Sequence, residues 1–225
     1  MVAIHHVKLH QFISWLLAMT LSLSPLRISA DATQPIAKHL RAIEREHGVA
    51  ARQRVSTWQA LIDLGRNLSE TEKLDRVNAF FNELRFVDDL THWGRPDYWA
   101  TPMETLVTNG GDCEDFSIAK YVTLREMGVP EDRLRLTYVK ALRLNQAHMV
   151  VTYYPTPDAD PLVLDNLVAE IRPASRRSDL FPVYSFNGDG LWLAKIRDSG
   201  ARVGTSERIS LWQDMLERMR KELHQ

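Results

Sequence analysis

The sequence predicts an α+β fold in a single domain of residues 31–225. Two observations support this class. Helical periodicity dominates the chain up to about residue 84, and short strand-like runs dominate it after about residue 134. The 225 residues are 44% hydrophobic and 25% charged, and they contain no internal repeat or low-complexity linker. This composition favours one globular core and excludes a disordered or fibrous chain.

Charge and cysteine content exclude several functional classes. The chain has 28 Lys and Arg against 29 Asp and Glu, for a formal charge of -1, and it has no basic run. Nucleic-acid binding is therefore not expected. Cys113 is the single cysteine, so the chain has no intramolecular disulfide and no multi-thiolate zinc or iron–sulfur site.

Residues 1–30 have the pattern of a secretory signal peptide. They contain no acidic residue, and Lys8 precedes an apolar run over Phe12–Leu23. This run is shorter than the ~20 residues that span a membrane. We expect cleavage near Ala30 or Ala32 and a soluble, exported product, with an uncleaved anchor as the alternative.

Two amphipathic helices are predicted within Asp31–Leu84. Apolar residues recur every three or four positions over Val49–Leu64, and Gly65 ends that pattern. Ser69 and Glu72 then have the spacing of a capping box, which predicts the start of the second helix.

The segment Asp88–Glu104 is aromatic-rich and has no clear period. It contains Trp93, Tyr98 and Trp99, and we predict an ordered loop that lines or covers a site. The alternative is that these rings only pack against the core.

A buried helix is predicted to begin near Asp112. Asn109–Gly111 is a turn signal, Asp112 is a suitable N-cap, and Gly128 marks the end of an almost entirely apolar stretch. Cys113 therefore falls in the first turn of this helix.

The C-terminal part of the chain predicts an antiparallel sheet followed by a helix. A short polar turn between the first two predicted strands favours an antiparallel meander, and the turn at Asn187–Gly190 favours a hairpin. Ser206–Leu223 has helical periodicity. The predicted strands are Leu134–Leu142, His148–Tyr154, Leu162–Asp165, Val183–Phe186 and Leu191–Ile196.

Three residues have the chemistry of a nucleophile, its base and the group that orients the base. A thiol at a helix N-terminus, as predicted for Cys113, is favoured as a nucleophile, and its backbone N–H is a natural oxyanion donor. His148 opens an apolar strand, and adjacent antiparallel strands would bring Asp165 beside it. His92 is the rival base. The alternative is that these are only core and turn residues.

Three carboxylates crowd around the thiol. Asp112, Glu114 and Asp115 lie next to Cys113 in the sequence. These carboxylates would repel one another, and their negative charges would oppose formation of the thiolate. One interpretation is a helix cap, with Asp112 and Asp115 stabilised by the helix dipole. The other is a calcium site, since Ca²⁺ takes six to eight oxygen ligands.

Four strings in the sequence resemble those of the bacterial transglutaminase-like cysteine proteinases. They are Asp97–Pro102, Gly111–Ser117, Ala147–Val150 and Leu164–Asn166. The resemblance implies a papain-like, transglutaminase-core fold, in which N-terminal helices and the cysteine-bearing helix pack on the antiparallel sheet. It also implies a Cys113–His148–Asp165 triad.

The resemblance carries further expectations about biology. It implies a calcium-dependent periplasmic endopeptidase, with Asp112, Glu114 and Asp115 as metal ligands. The implied substrate is the N-terminal region of a large repeat-containing surface adhesin, whose release promotes biofilm dispersal. The implied inhibitory partner is the periplasmic domain of an inner-membrane cyclic-di-GMP receptor, and we expect it to dock on the aromatic segment.

Two other functions use the same residues. A transglutaminase or amidase would pass the acyl group from Cys113 to an amine, or release ammonia. A non-catalytic periplasmic binding protein would keep the fold but have an unreactive thiol.

Overall fold

The computed structural model describes residues 30–195 and 198–222. The predicted signal peptide, apart from Ala30, lies outside these residues, so its cleavage stays a prediction. Within the described ranges, no helix combines the length and apolar character that crossing a membrane requires.

Six helices and nine strands make up the described part of the chain. The helices are α1 (Ala30–Gly65), α2 (Glu70–Asn82), α3 (Asp89–Trp93), α4 (Pro102–Thr108), α5 (Cys113–Glu126) and α6 (Ser210–Glu222). The strands are β1 (Arg85–Phe86), β2 (Gly110–Gly111), β3 (Leu134–Ala141), β4 (Gln146–Tyr153), β5 (Leu162–Leu164), β6 (Arg172–Pro173), β7 (Leu180–Phe186), β8 (Leu191–Lys195) and β9 (Asp198–Gly204).

The two predicted N-terminal helices are confirmed. Helix α1 is broken at Gly48, whose φ of 86° is in the left-handed region that glycine adopts at low cost. Helix α2 begins with the predicted capping box: the Ser69 backbone N–H donates to Glu72 Oε2 at 3.0 Å, and the Glu72 N–H donates to Ser69 Oγ at 3.4 Å.

The prediction of one loop over Asp88–Glu104 is wrong at both ends. The Asp88 carboxylate caps the short helix α3 by accepting the Thr91 N–H at 3.0 Å. Thr101 caps α4 in a capping box with Glu104. Each helix has fewer than two turns, too few to show a repeating apolar pattern, so its cap is the signal that identifies it.

The large sheet has seven strands in the order β6-β5-β4-β3-β7-β8-β9, and all neighbouring pairs are antiparallel. The predicted meander of β3, β4 and β5 and the β7–β8 hairpin are confirmed. The structure adds four strands that the sequence pattern did not predict: β6, β9 and the short parallel pair of β1 and β2. The final helix α6 begins at Ser210, later than predicted, because a 3₁₀ turn occupies Ser206–Arg208.

The cysteine-bearing helix α5 packs on one face of this sheet. Phe116, Ile118 and Leu124 are buried in the same cluster as Met149 and Leu164. The chain therefore has the predicted α+β architecture, with helices packed against an antiparallel sheet.

Candidate active site

The start of α5 is bonded to a single residue of β4. Ser117 Oγ donates to the Met149 carbonyl at 3.0 Å, and the Met149 backbone N–H acts to lower the pKa of the Cys113 thiol. Cys113 and Ser117 are four residues apart and so lie on one face of the helix. These two interactions place the thiol beside Met149, the residue that follows His148.

His148 and Asp165 are in direct contact. His148 Nε2 lies 2.8 Å from Asp165 Oδ1, and both side chains are buried. Asp165 directly follows β5, which pairs with β4 starting at Val151 and Leu164. The expected approach of this carboxylate to the imidazole is therefore present.

Asp165 is held as a carboxylate. Burial opposes its ionisation, but the hydrogen bond and charge of His148, the Leu167 N–H and Arg177 together hold the pKa of Asp165 at about 2. A carboxylate in this position can fix the tautomer of an imidazole and stabilise an imidazolium.

The rival histidine has different partners. His92 Nε2 lies 2.9 Å from Thr108 Oγ1, and its ring packs edge-on against Trp93. Burial lowers the pKa of His92. Of the two candidate bases, His148 is therefore the one that contacts a carboxylate.

The predicted electrostatic conflict at the thiol is present. Cys113 Sγ lies 3.0 Å from Glu114 Oε2. Burial raises the pKa of the Cys113 thiol well above its usual range, and the charges of Glu114 and Asp112 raise it further. Burial and Glu114 likewise raise the pKa of Asp112 to about 10.

The acidic cluster is larger than the sequence indicated, because Asp89 of α3 and Asp97 reach it from the aromatic segment. Three overlapping groups have their potential ligand atoms within 4.8 Å of one another: Asp112, Cys113 and Glu114; Asp89, Asp112 and Asp115; and Asp89, Asp97 and Glu114. Burial raises the pKa of Asp89 to about 6. The cap at Asp88 marks the start of α3, but only the fold brings Asp89 to this cluster.

The oxygens of this cluster fit a hard cation. Among the described residues, no hydrogen-bond partner is found for the buried oxygens Asp89 Oδ1 and Asp112 Oδ1. Buried polar atoms are normally paired, and carboxylate oxygens are the ligands that Ca²⁺ prefers.

Asp115 differs from the other predicted ligands because its carboxylate accepts hydrogen bonds from two backbone N–H groups. Its Oδ1 accepts the Ala100 N–H at 2.7 Å and its Oδ2 accepts the Asp112 N–H at 3.3 Å. A Cβ at Gly111 would lie 2.3 Å from Asp115 Oδ2, so this close approach requires glycine. Asp115 thus ties the start of α5 to the aromatic segment, much as the cap interpretation expected.

A comparison with known families agrees with the geometry. The family model of the bacterial transglutaminase-like cysteine proteinases matches residues 30–187. The chain belongs to this family. A search of curated proteins found no match.

Solved structures of Legionella pneumophila LapG are similar to this proteinase. The EGTA-treated structure has 44% sequence identity to this chain and a TM-score of 0.73. The match covers 82% of this chain and 97% of the LapG chain. The calcium-bound structure is also 44% identical, covers 80% of this chain and 98% of its own, and has a TM-score of 0.69. The predicted transglutaminase-like fold is therefore confirmed.

The low pKa of Asp165 predicts a specific pH dependence of stability. Because the pKa in the folded proteinase, about 2, lies below the ordinary value of 3.8, ionised Asp165 stabilises the fold at higher pH by about 2 kcal/mol. This contribution is lost as the pH falls through about 4 to about 2. Urea unfolding of the wild type and Asp165→Asn measures it.

We expect the wild type to be the more stable of the two above about pH 5 and the difference to shrink towards pH 2. A difference that does not change with pH would contradict the assignment of this low pKa to Asp165.

Proposed function

We propose that this chain is a calcium-dependent periplasmic cysteine endopeptidase with Cys113 as nucleophile, His148 as acid and base, and Asp165 as the group that orients the base. The observation that carries the proposal is the buried contact between His148 and Asp165. His148 directly precedes Met149, whose backbone N–H acts to lower the pKa of the Cys113 thiol.

In the acylation step the Cys113 thiolate attacks the scissile carbonyl carbon. Because His148 Nε2 is taken by Asp165, Nδ1 is the ring nitrogen that accepts the thiol proton and passes it to the leaving amine. The Cys113 N–H, at the N-terminus of α5, donates to the developing oxyanion. The products are a thioester on Cys113 and the free amine.

In the deacylation step His148 removes a proton from water as the water attacks the thioester carbonyl. The carboxylic acid leaves, and the sulfur regains its proton. Asp165 stabilises the imidazolium formed in both steps, and its burial excludes water from this contact.

The proposed calcium ligands are Asp112 and Glu114, joined by Asp89, Asp97 and Asp115. Bound calcium supplies positive charge that offsets the repulsion among these carboxylates. The unpartnered oxygens of Asp89 and Asp112 support this proposal, as does similarity to a LapG structure described as calcium-bound.

The proposed substrate is the N-terminal region of a large repeat-containing surface adhesin, whose release would promote biofilm dispersal. The proposed inhibitory partner is the periplasmic domain of an inner-membrane cyclic-di-GMP receptor. These proposals rest on the family resemblance.

The proposed docking surface for the receptor lies on the aromatic segment. Trp99 is only 6% exposed and stacks on Phe186, so it is a core residue. Trp93 is half-buried against Tyr98, and Leu90 of α3 is 67% exposed. Trp93 and Leu90 therefore form the proposed docking surface, since partly exposed aromatic side chains are frequent interface anchors.

Nucleophilic catalysis predicts that Cys113→Ala and His148→Ala both lose cleavage by at least about 10³-fold, because residues of a triad act as one unit. The test is incubation with the purified adhesin N-terminal region, followed by sequencing of new N-termini. Circular dichroism controls for folding.

Full activity of folded Cys113→Ala would contradict the proposal. Release of ammonia without new N-termini would instead indicate a transglutaminase or amidase.

Calcium dependence predicts that EGTA stops cleavage and that excess calcium restores it. Magnesium should restore it poorly, because its small octahedral shell does not suit a flexible carboxylate cluster. Asp112→Asn, which removes one charge, should weaken calcium binding measured by titration calorimetry. Full activity in EGTA, with no calorimetric binding, would show that the acidic cluster is only a helix cap.

Receptor docking predicts that Trp93→Glu weakens binding of the receptor's periplasmic domain by at least about tenfold, as expected for loss of an anchor. Val203→Glu is the matched control, because Val203 is an exposed apolar residue on β9. Titration calorimetry measures both variants. Equal affinities would exclude Trp93 from the interface.

A further inference from the structure

A buried arginine contacts the carboxylate of Asp165. Arg177 follows the 3₁₀ turn at Ala174–Arg176, and its side chain is only 2% exposed. Its Nη2 donates to Asp165 Oδ2 at 2.7 Å. The chemistry proposed above gives this arginine no role.

The guanidinium is also held by Asp179, which shares Nη2 with Asp165. Arg177 Nε donates to Asp179 Oδ1 at 3.0 Å, and Nη2 donates to Asp179 Oδ2 at 2.9 Å. Such a two-point contact fixes the plane of a guanidinium. Arg177 therefore presents Nη2 to Asp165 in a defined orientation.

Each oxygen of the Asp165 carboxylate has its own donors. Oδ1 accepts from His148 Nε2 and from the Leu167 N–H at 2.9 Å. Among the described residues, the hydrogen bond found at Oδ2 is the one from Arg177. Without it, a buried carboxylate oxygen would lose its donor, which is costly.

One more charged group faces Asp165. Lys120 of α5 is buried, burial lowers its pKa to about 7, and its charge interacts with Asp165. Its Nζ donates to Asn78 Oδ1 at 2.8 Å. Lys120 thus contributes to the local field, whereas Arg177 supplies direct contact.

We propose that Arg177 is a positioning residue, which fixes the plane of the Asp165 carboxylate so that Oδ1 remains aligned with His148. The inference rests on the proposed Cys113–His148–Asp165 chemistry and assigns Arg177 a role that acts through Asp165. Groups that orient a ligand or base from behind commonly affect activity by about 10- to 100-fold.

The matched comparison is between neighbouring arginines. Arg176 is exposed, whereas Arg177 is buried. We expect Arg177→Met to lower kcat/KM by about 10- to 100-fold, mainly through kcat. Arg177→Lys should recover part of the loss because it keeps the charge, and Arg176→Met should match the wild type.

Two further readouts separate positioning from a merely structural ion pair. In Arg177→Met, the acid limb of the kcat/KM profile should move to higher pH, because Asp165 would protonate more easily without the guanidinium. The low-field NMR signal of the His148 proton shared with Asp165 should weaken or disappear. Arg176→Met should change neither.

The proposal is overturned if folded Arg177→Met keeps wild-type kcat/KM, acid limb and low-field signal. If Arg177→Met does not fold, Arg177→Lys decides by the same readouts: a reduced kcat with a shifted limb supports positioning, and wild-type behaviour overturns it. Failure of the proposed function is distinguishable, because it would appear as an active Cys113→Ala protein, whatever Arg177 does.

Discussion

The packing of α5 against β4 is the contact on which the rest of the site depends. Strand β5 pairs with β4 from Val151 onward, and before that point, at Met149, the helix contacts the strand through Ser117. Ser117 Oγ donates to the Met149 carbonyl, and the Met149 N–H acts to lower the pKa of the Cys113 thiol. Because these two backbone groups are one residue from His148, the helix register and the strand register together set where the thiol and the imidazole lie.

The two ends of the site have opposite electrostatics. Around Asp165, His148 and Arg177 favour the charged form, so this carboxylate stays ionised despite burial. Around Cys113, burial and carboxylates disfavour the thiolate. A cation in the acidic cluster would remove this conflict, since nearby positive charge favours ionisation of a thiol. The proposed calcium dependence would follow from how Cys113 is surrounded.

The elements with a strong local signal were predictable from sequence. The capping box of Ser69, the turn after Asn187 and the apolar run in β4 each act over a few residues, so the pattern identifies them. Asp89 and Asp97 were not predictable as site residues, because α3 and the following turn bring them to Glu114 only in the folded chain. Arg177 was missed for the same reason: only the structure distinguishes it from exposed Arg176.

Alkylation of Cys113 by iodoacetamide, measured against pH in calcium, tests the central claim most directly, because it reports thiolate formation without any substrate. The account predicts that the wild type reacts with a midpoint below the ordinary thiol pKa of about 8.5. In His148→Ala the midpoint should move upward, because the imidazolium no longer stabilises the thiolate. A wild-type thiol that is unreactive at neutral pH, or a midpoint that is the same in both proteins, would contradict the account.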